Sequence, residues 1–564
     1  MNILGISAFY HDSAAALIRD GIPLAAAQEE RFTRKKNDAS FPTHAIKFCL
    51  KEAKLNIDEL DWVVFYEKPL RKFERILITH LKHFPYSYRA FPRAMFLWLG
   101  DRLWMKNRIA KELGIPPGKI LFTEHHQSHA ASAYYPSPFN DAAILTIDGV
   151  GEWATTTFSK GKNNHIKQLS ELYFPHSLGL LYSAITAFLG FRVNEGEQKV
   201  MGLAAYGSPK YQNEIASLIH FSSDGSFELD ISAFRYPFDP DKSFGKKIIS
   251  LLGEPRDPKQ PVQYNSSNAL HADIAASLQA VLEDGVISLA NSLYQQYPTK
   301  NLCFAGGVAL NVVANSKILE KTPFENIFIQ PAPGDARGAL GCALYAYHLL
   351  LNKSRSFIKE NVYLGEKAIT TSGAIVNETP NQDILIEKTV NNIISNKTVG
   401  WVQGRFEWGP RSLGNRSLLA DARNIQMKHH INKNIKKREL FRPFAPAITK
   451  EAANDFFDIP KGGLHCTPYM LISVNAKKHA INTIPAALHI DNSARIQIVS
   501  KESNPVFHKL ITAFEKETDI PVLLNTSLNL QGEPIVRTEE DALSVFKRSQ
   551  IDALVINNQI YNKQ

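Results

Sequence analysis

Ile144-Leu145-Thr146-Ile147-Asp148-Gly149-Val150-Gly151-Glu152 is the stretch on which the fold turns. An apolar run that ends in an acid and enters a glycine-rich turn reads as a β-strand delivering a carboxylate to its own end. Ala154 to Ser159 then reads as a second strand, with Lys160-Gly161 as the next turn. About 141 residues earlier the chain has the same design: strand Ile3 to Ser7, polar turn Phe9-Tyr10-His11-Asp12, strand Ser13 to Arg19, turn Asp20-Gly21. Two copies of strand, polar turn, strand predict an internally duplicated α/β domain.

Actin, the sugar kinases and the heat-shock ATPases are built on such a duplication, with phosphates held in the cleft between the copies. Downstream, Ile274, Leu278, Val281, Leu282, Leu289 and Leu293 recur at helical spacing. Strand Leu302 to Ala305 leads through Gly306-Gly307 into a helix predicted from Ala309 to Leu319, and strand Ile327 to Gln330 leads through Pro333-Gly334-Asp335 into a helix containing Gly338 and Gly341. Each is a strand, glycine loop, helix unit of the kind that binds phosphate or ribose. The pattern loosens over 351–383, which places a first domain at 1–350, a linker region at 351–383 and a second α/β domain at 384–564. That second domain opens on strand Val399 to Val402 and contains strand Val522 to Leu524.

The chain has 564 residues, 44% hydrophobic and 21% charged, which excludes a disordered chain and a small disulfide scaffold. No apolar run reaches the ~18–20 residues that span a bilayer. The start of the chain lacks a basic leader, and the four cysteines form no CxxC pair, so a reducing, cytoplasmic setting is expected. Of the net charge of +9, all is matched by one segment: Lys68 to Lys119 carries twelve Lys and Arg against three acids. Its Phe, Tyr and Trp residues suggest one or two amphipathic helices covering the first domain, with peripheral membrane contact as the other reading.

Two constellations carry chemistry. In Glu124-His125-His126-Gln127-Ser128-His129, a helix puts His125 and His129 one turn apart on one face, where two imidazoles can bind one metal ion. Asp148 and Asp335 offer oxygen donors at the ends of nearby strands, and two His with two Asp suit iron, manganese or zinc. The second constellation lies in 384–564: Gly409-Pro410-Arg411-Ser412-Leu413-Gly414, the basic stretch around Lys436, Phe441-Arg442-Pro443-Phe444, Arg495, and Asn525-Thr526-Ser527-Leu528-Asn529. Guanidinium forks, a lysine and small hydroxyl or amide donors are what phosphate recognition requires.

These motifs, with Glu195-Gly196-Glu197-Gln198-Lys199-Val200-Met201-Gly202 and Gly306-Gly307-Val308-Ala309-Leu310-Asn311, run in an order that resembles the NodU/CmcH-type O-carbamoyltransferases over nearly the whole chain. The resemblance implies an actin-like N-terminal domain fused to a YrdC-like α/β C-terminal domain. It implies that carbamoyl phosphate and ATP, with Mg²⁺, give carbamoyl adenylate, whose carbamoyl group passes to a hydroxyl of a small-molecule, natural-product or sugar acceptor. On it His125, His129, Asp148 and Asp335 are the metal ligands, with Fe²⁺ expected and Zn²⁺ or Mn²⁺ still open. His11 is the base for the acceptor hydroxyl, with Asp12 orienting it or binding the acceptor. Gly149, Glu197, Lys199, Gly202, Gly306, Gly307, Asn311 and Gly338 line the adenylate site, and Arg411, Lys436, Arg442, Arg495, Ser527 and Asn529 bind the phosphates. Leu528 departs from the family's usual aromatic residue, which alters packing more than chemistry. Three rival readings stand beside this one: a tRNA threonylcarbamoyl-type enzyme, an actin-class sugar kinase and a non-catalytic surface-binding protein using residues 68–119. Nucleic acid is not an expected partner, and a homodimer is compatible with the sequence.

Overall fold

The computed structural model describes residues 1–222, 224–265, 268–355, 362–369 and 381–563. The N-terminal strands are β1 (Asn2–Ser7), β2 (Ala14–Arg19), β3 (Ile22–Gln28), β4 (Trp62–Phe65), β5 (Ile120–Phe122), β6 (Asp141–Ile147), β7 (Ala154–Lys162) and β8 (His165–Tyr173). A short hairpin, β9 (Ile219–Phe221) and β10 (Phe227–Leu229), precedes β11 (Asn301–Ala305) and β12 (Asn326–Ile329). One five-stranded sheet has the order β3-β2-β1-β4-β5 and another has β8-β7-β6-β11-β12. Each pairs its first three strands antiparallel and its last two in parallel. Strand for strand the two sheets match, so the expected duplication is real and the N-terminal half is actin-like in topology.

The two sheets meet through helices that occupy equivalent places. The helix His125–Tyr134 follows β5, and the helix Gly338–Tyr345 follows β12. They touch so closely that a Cβ on Gly341 would lie 1.9 Å from the Ser128 carbonyl oxygen. The first of these helices starts where it does because Glu124 and Gln127 form a capping box. The buried Glu152 carboxylate also accepts the His125 backbone N–H at 3.1 Å, setting negative charge against the helix's positive end.

The C-terminal strands are β13 (Val399–Val402), β14 (Arg416–Asp421), β15 (Ala445–Thr449), a small three-stranded set β16 (Phe457–Asp458), β17 (Val474–Ala476) and β18 (Ser493–Ala494), then β19 (Gln497–Val499), β20 (Val522–Ser527), β21 (Ala553–Ile556) and β22 (Gln559–Asn562). Seven of them form one mixed sheet in the order β19-β15-β20-β14-β13-β21-β22. The helices Gln382–Ile394 and Pro505–Thr518 cover one face through Leu385, Ile393, Phe507 and Phe514, packed on Trp401 and Leu523. The other face shares its core with the N-terminal half: Val402, Leu418, Ile448 and Leu524 belong to the same apolar cluster as Leu145, Leu278 and Leu302. Buried polar bonds tie the halves as well, Arg31 donating to the Gly409 carbonyl at 2.7 Å and Asn315 to the Leu471 carbonyl at 2.8 Å. The proposed division at 351–383 lies partly outside the described residues; within it, Val362 and Leu364 are buried rather than running free.

Three local expectations are corrected. The turn after β7 is at Asn163-Asn164, not Lys160-Gly161, because Asn163 takes the left-handed conformation (φ 52°) while Gly161 stays in the strand against the Tyr134 ring. The helix expected from Ala309 begins at Val312, since Asn311 accepts the Ala314 N–H at 3.0 Å and caps it. Residues 68–119 form three helices, Pro69–Lys82, Ala90–Gly100 and Met105–Leu113, and the middle one buries only Trp98. A covering role would bury far more of it.

The helix crossing makes the first prediction. Gly341→Val should cost about 2–3 kcal/mol in urea unfolding through overpacking, and Gly341→Ala should cost less. Equal midpoints for wild type and Gly341→Val would show that the crossing can open freely.

Candidate functional site

The duplicated halves contribute equivalent parts to one cluster. From the two helix starts come His125 and His129 in one copy and Asp335 in the other; from the two hairpin turns come His11 and Asp12 in one copy and Asp148 in the other. His125 Nε2 lies 2.8 Å from Asp148 Oδ2, and His129 Nε2 lies 3.1 Å from the same oxygen and 3.1 Å from His125 Nε2. Asp335 Oδ1 is 3.6 Å from both ring nitrogens. The four ligand atoms all fall within 4.8 Å of one another. Asp148 is aimed by its other oxygen, Oδ1, which accepts the Gly149 N–H at 2.8 Å and the Gly307 N–H at 3.1 Å.

This donor set fits a divalent metal. Two imidazole nitrogens facing each other at 3.1 Å between two carboxylates leave a position that a shared cation satisfies. Burial lowers His129, but its hydrogen bonds to Asp148 and Asp335 outweigh that and raise it to about 9. His126 does not join them. Its Nδ1 meets the Thr146 hydroxyl at 2.6 Å, and burial pushes its pKa down to about 3.

His11 stands beside the cluster, with Nδ1 2.9 Å from Asp12 Oδ2 and Nε2 3.4 Å from Asp335 Oδ2. Its turn is strained, because Phe9 (φ 76°) and Asp12 (φ 52°) both adopt left-handed backbone. For an aromatic residue this costs on the order of 1–3 kcal/mol and needs support. The support is visible: the guanidinium carbons of Arg102 and Arg108 lie 4.2 and 4.3 Å from the Phe9 ring centroid, and the Phe9 N–H donates to the Ala39 carbonyl. The strained turn presents Tyr10, His11 and Asp12 to the cavity. Burial lowers His11, while Asp335 and then Asp12 raise it to about 9.

A cavity of about 640 Å³ joins this cluster to the C-terminal half. Its far wall carries Arg411, Lys436, Arg438, Arg442, Arg495, Ser527 and Asn529. Lys436 Nζ donates to Asn529 Oδ1 at 2.8 Å, and the Ser527 hydroxyl donates to the same oxygen at 2.7 Å. The Nε atoms of Arg411 and Arg495 are buried with no hydrogen-bond partner among the described residues. Burial, then repulsion from Arg442, pushes Arg411 down to about 10; burial and repulsion from neighbouring arginines take Arg495 well below its ordinary value. Cations crowded together out of water are stable only with an anion among them. Phosphate groups suit that wall.

Of the other expected residues, Gly149, Glu197, Lys199, Gly202, Gly307 and Asn311 line the cavity. Glu197 is held by Ser183 and Lys199 by Glu439, while Asn311 exchanges hydrogen bonds with Gln279. Gly306 and Gly338 stand back from it. A Cβ on Gly306 would meet the Ile147 carbonyl oxygen at 2.2 Å, and one on Gly338 the Tyr66 ring at 2.6 Å, so both glycines serve packing. Arg416 also turns away, donating to the Gln403 carbonyl at 2.7 Å and to other backbone oxygens. Leu528 is buried, as a packing substitution implies. Sequence reasoning missed Arg438, hidden in a basic run, and the anchoring role of Glu152. Neither burial nor direction in such runs is legible without the fold.

Family models described as carbamoyltransferase N-terminus and carbamoyltransferase C-terminus match residues 2–344 and 390–563. Uncharacterized protein sll1178 of Synechocystis sp. is 45% identical, with 100% of this chain and 97% of that protein covered. Nodulation protein NolNO of Sinorhizobium fredii is 35% identical over 99% of this chain and 79% of its own length. Nodulation protein U of Rhizobium tropici is 28% identical, covering 100% and 96%. Among solved structures, component A of the (R)-2-hydroxyglutaryl-CoA dehydratase of Acidaminococcus fermentans is 16% identical with a TM-score of 0.34, covering 62% of this chain and 98% of its own. HypF of T. kodakarensis is 15% identical with a TM-score of 0.30, covering 62% and 48%. The strand order carries the fold reading, and these scores add nothing to it.

The cluster predicts a bound metal. Purified wild type should contain about one metal ion per chain, on the premise of a single mononuclear site, measured by elemental analysis. His129→Ala and Asp335→Ala should each lose most of it while the far wall stays intact. Equal metal content in wild type and both variants would rule these ligands out.

Proposed function

The chain belongs to the carbamoyltransferase family, and on that premise we propose that it is an ATP-dependent O-carbamoyltransferase working through carbamoyl adenylate. That it is a transferase of carbamoyl groups follows from the family. The co-substrates and the acceptor class are the proposal. One observation carries it: an arginine-rich wall and the two carboxylates of the His/Asp cluster, Asp148 and Asp335, line the same cavity, so an adenylate made at one could be used at the other without release.

In this reading Arg411, Arg442, Arg495 and Lys436, with Ser527 and Asn529, bind the phosphates of carbamoyl phosphate and Mg²⁺-ATP. Water hydrolyses carbamoyl phosphate to carbamate and phosphate; a carbamate oxygen attacks the α-phosphorus of ATP, and pyrophosphate leaves. Carbamate is a poor acyl donor, whereas its anhydride with AMP has a good leaving group. Glu197, Lys199, Gly202 and Asn311 border the space for the adenylate. His125, His129, Asp148 and Asp335 would hold a divalent metal, iron by family resemblance with zinc or manganese equally suited, which supplies Lewis-acid stabilisation of charge developing beside it. His11 donates Nδ1–H to Asp12 and keeps Nε2 for the acceptor hydroxyl's proton as that oxygen attacks the carbamoyl carbon and AMP departs. A cation held by Asp335 would offset the field that most raises His11, which would let it act as a neutral base near pH 7. Among the described residues no helix is long and apolar enough to cross a membrane, and a cytoplasmic enzyme acting on a small hydroxylated molecule fits the reading.

Labelled carbamoyl phosphate and ATP, with pyrophosphate followed, test the proposal against its rivals. Pyrophosphate release that depends on carbamoyl phosphate is expected. A sugar kinase would instead release ADP, and a threonylcarbamoyl enzyme would ignore carbamoyl phosphate and require tRNA.

The two walls should separate by mutation. Arg411→Ala and Arg442→Ala should each lower pyrophosphate release by about 10²-fold or more through loss of a buried charge-assisted contact, yet still transfer from supplied carbamoyl adenylate. His11→Asn should do the reverse: it keeps pyrophosphate release and metal content, while transfer to an acceptor falls ~10²–10⁴-fold. Wild-type transfer by His11→Asn would move the base elsewhere, with Asp12 the next group to test.

A further inference from the structure

We propose that the helical arm running from Pro69 to Gly100 docks the enzyme on an anionic lipid surface. The inference is independent of the carbamoyl chemistry and starts from exposure. Among the described residues, nine of the nineteen exposed large hydrophobic side chains fall between Leu70 and Trp104. Phe96 is 86% exposed, Tyr86 76% and Phe84 71%. Elsewhere such residues are scattered singly, as on any soluble surface. Here they are clustered in sequence, and three of them, Phe96, Leu97 and Leu99, stand on a helix whose composition, Ala-Phe-Pro-Arg-Ala-Met-Phe-Leu-Trp-Leu-Gly, belongs in a core. A patch of this kind marks an interaction surface.

Charge selects the occupant. Between Glu74 and Asp101 the chain contains no acid, while Lys82, Arg89 and Arg93 are exposed. Across space, Asp241 lies 3.6 Å from Arg93 in a pair exposed on both sides. In a symmetric dimer the same patch faces itself, which would set these cations against their own copies. An anionic bilayer complements them, and it also accepts the apolar side chains between its headgroups. Tyr86, Tyr88 and Trp104 have the apolar body and polar tip that settle at headgroup level. The helices are too short and too broken to cross the bilayer, so the arm lies in the interface plane.

The arm's root reaches the functional site. Lys72 Nζ lies 5.1 Å from the Tyr10 ring centroid, and Tyr10 lines the cavity while remaining 43% exposed. A docked arm therefore holds that side of the cavity close to the headgroups.

Sedimentation of the full chain with vesicles tests this. Vesicles of phosphatidylcholine containing about one third phosphatidylserine should bind it at least about tenfold more tightly than phosphatidylcholine alone, and less as salt rises, since each basic residue near such a surface contributes about fivefold. Arg89→Gln with Arg93→Gln should weaken anionic binding by about 25-fold on the same basis. Phe96→Ser with Leu99→Ser should weaken binding to both vesicles, and both variants should keep the wild-type thermal unfolding midpoint. Absence of binding to anionic vesicles, or equal binding to both kinds by wild type, overturns the proposal. So does a concentration-dependent dimer that Phe96→Ser with Leu99→Ser abolishes, because that result assigns the face to a second copy.

Discussion

The contact between Ser128 and Gly341 is the constraint on which the rest depends. Two helices that descend from equivalent places in a duplicated fold cross with no side chain between them at that point. Their N-terminal ends are brought side by side as a result, one carrying His125 and His129 and the other preceded by Asp335. The same pairing sets the two hairpin turns facing each other, so that Asp148 and His11 complete the group. Four donors from three separate stretches of chain converge within 4.8 Å because the duplication has approximate two-fold symmetry. A larger residue at 341 would separate the helices and, with them, the ligands.

Electrostatics then divides the cavity. On the N-terminal wall the buried charges are carboxylates, a donor set that suits a cation. On the C-terminal wall they are arginines and a lysine, buried together. A ligand of opposite sign at each wall would offset the cost of burying these charges. The shared apolar core and the Arg31 bond to Gly409 keep the two walls in register. The exposed cations of the arm, Lys82, Arg89 and Arg93, line none of this cavity.

Much was legible beforehand because it is local. The strand ending in Asp148, the i, i+4 spacing of His125 and His129, and the glycine turns are patterns of period and punctuation, read directly from neighbours in the chain. The duplication could be seen since both copies kept the same strand, turn, strand order. Local reading failed where a single side chain overrode the pattern. Asn163 moved a turn, and Asn311 delayed a helix by capping it.

By itself the sequence determined the element order, the donor types and the two chemistries, since these depend on residue identity and short spacing. Only the tertiary structure decided which of the basic residues face the cavity. Arg411 and Arg416 sit five positions apart, yet the first lines the cavity and the second donates to backbone carbonyls. It also decided that Gly306 and Gly338 serve packing, and that the aromatic arm lies open rather than covering the fold. The physical reason is the same in each case: direction and burial are set by what lies opposite in space, and the opposite partner here is tens to hundreds of residues away.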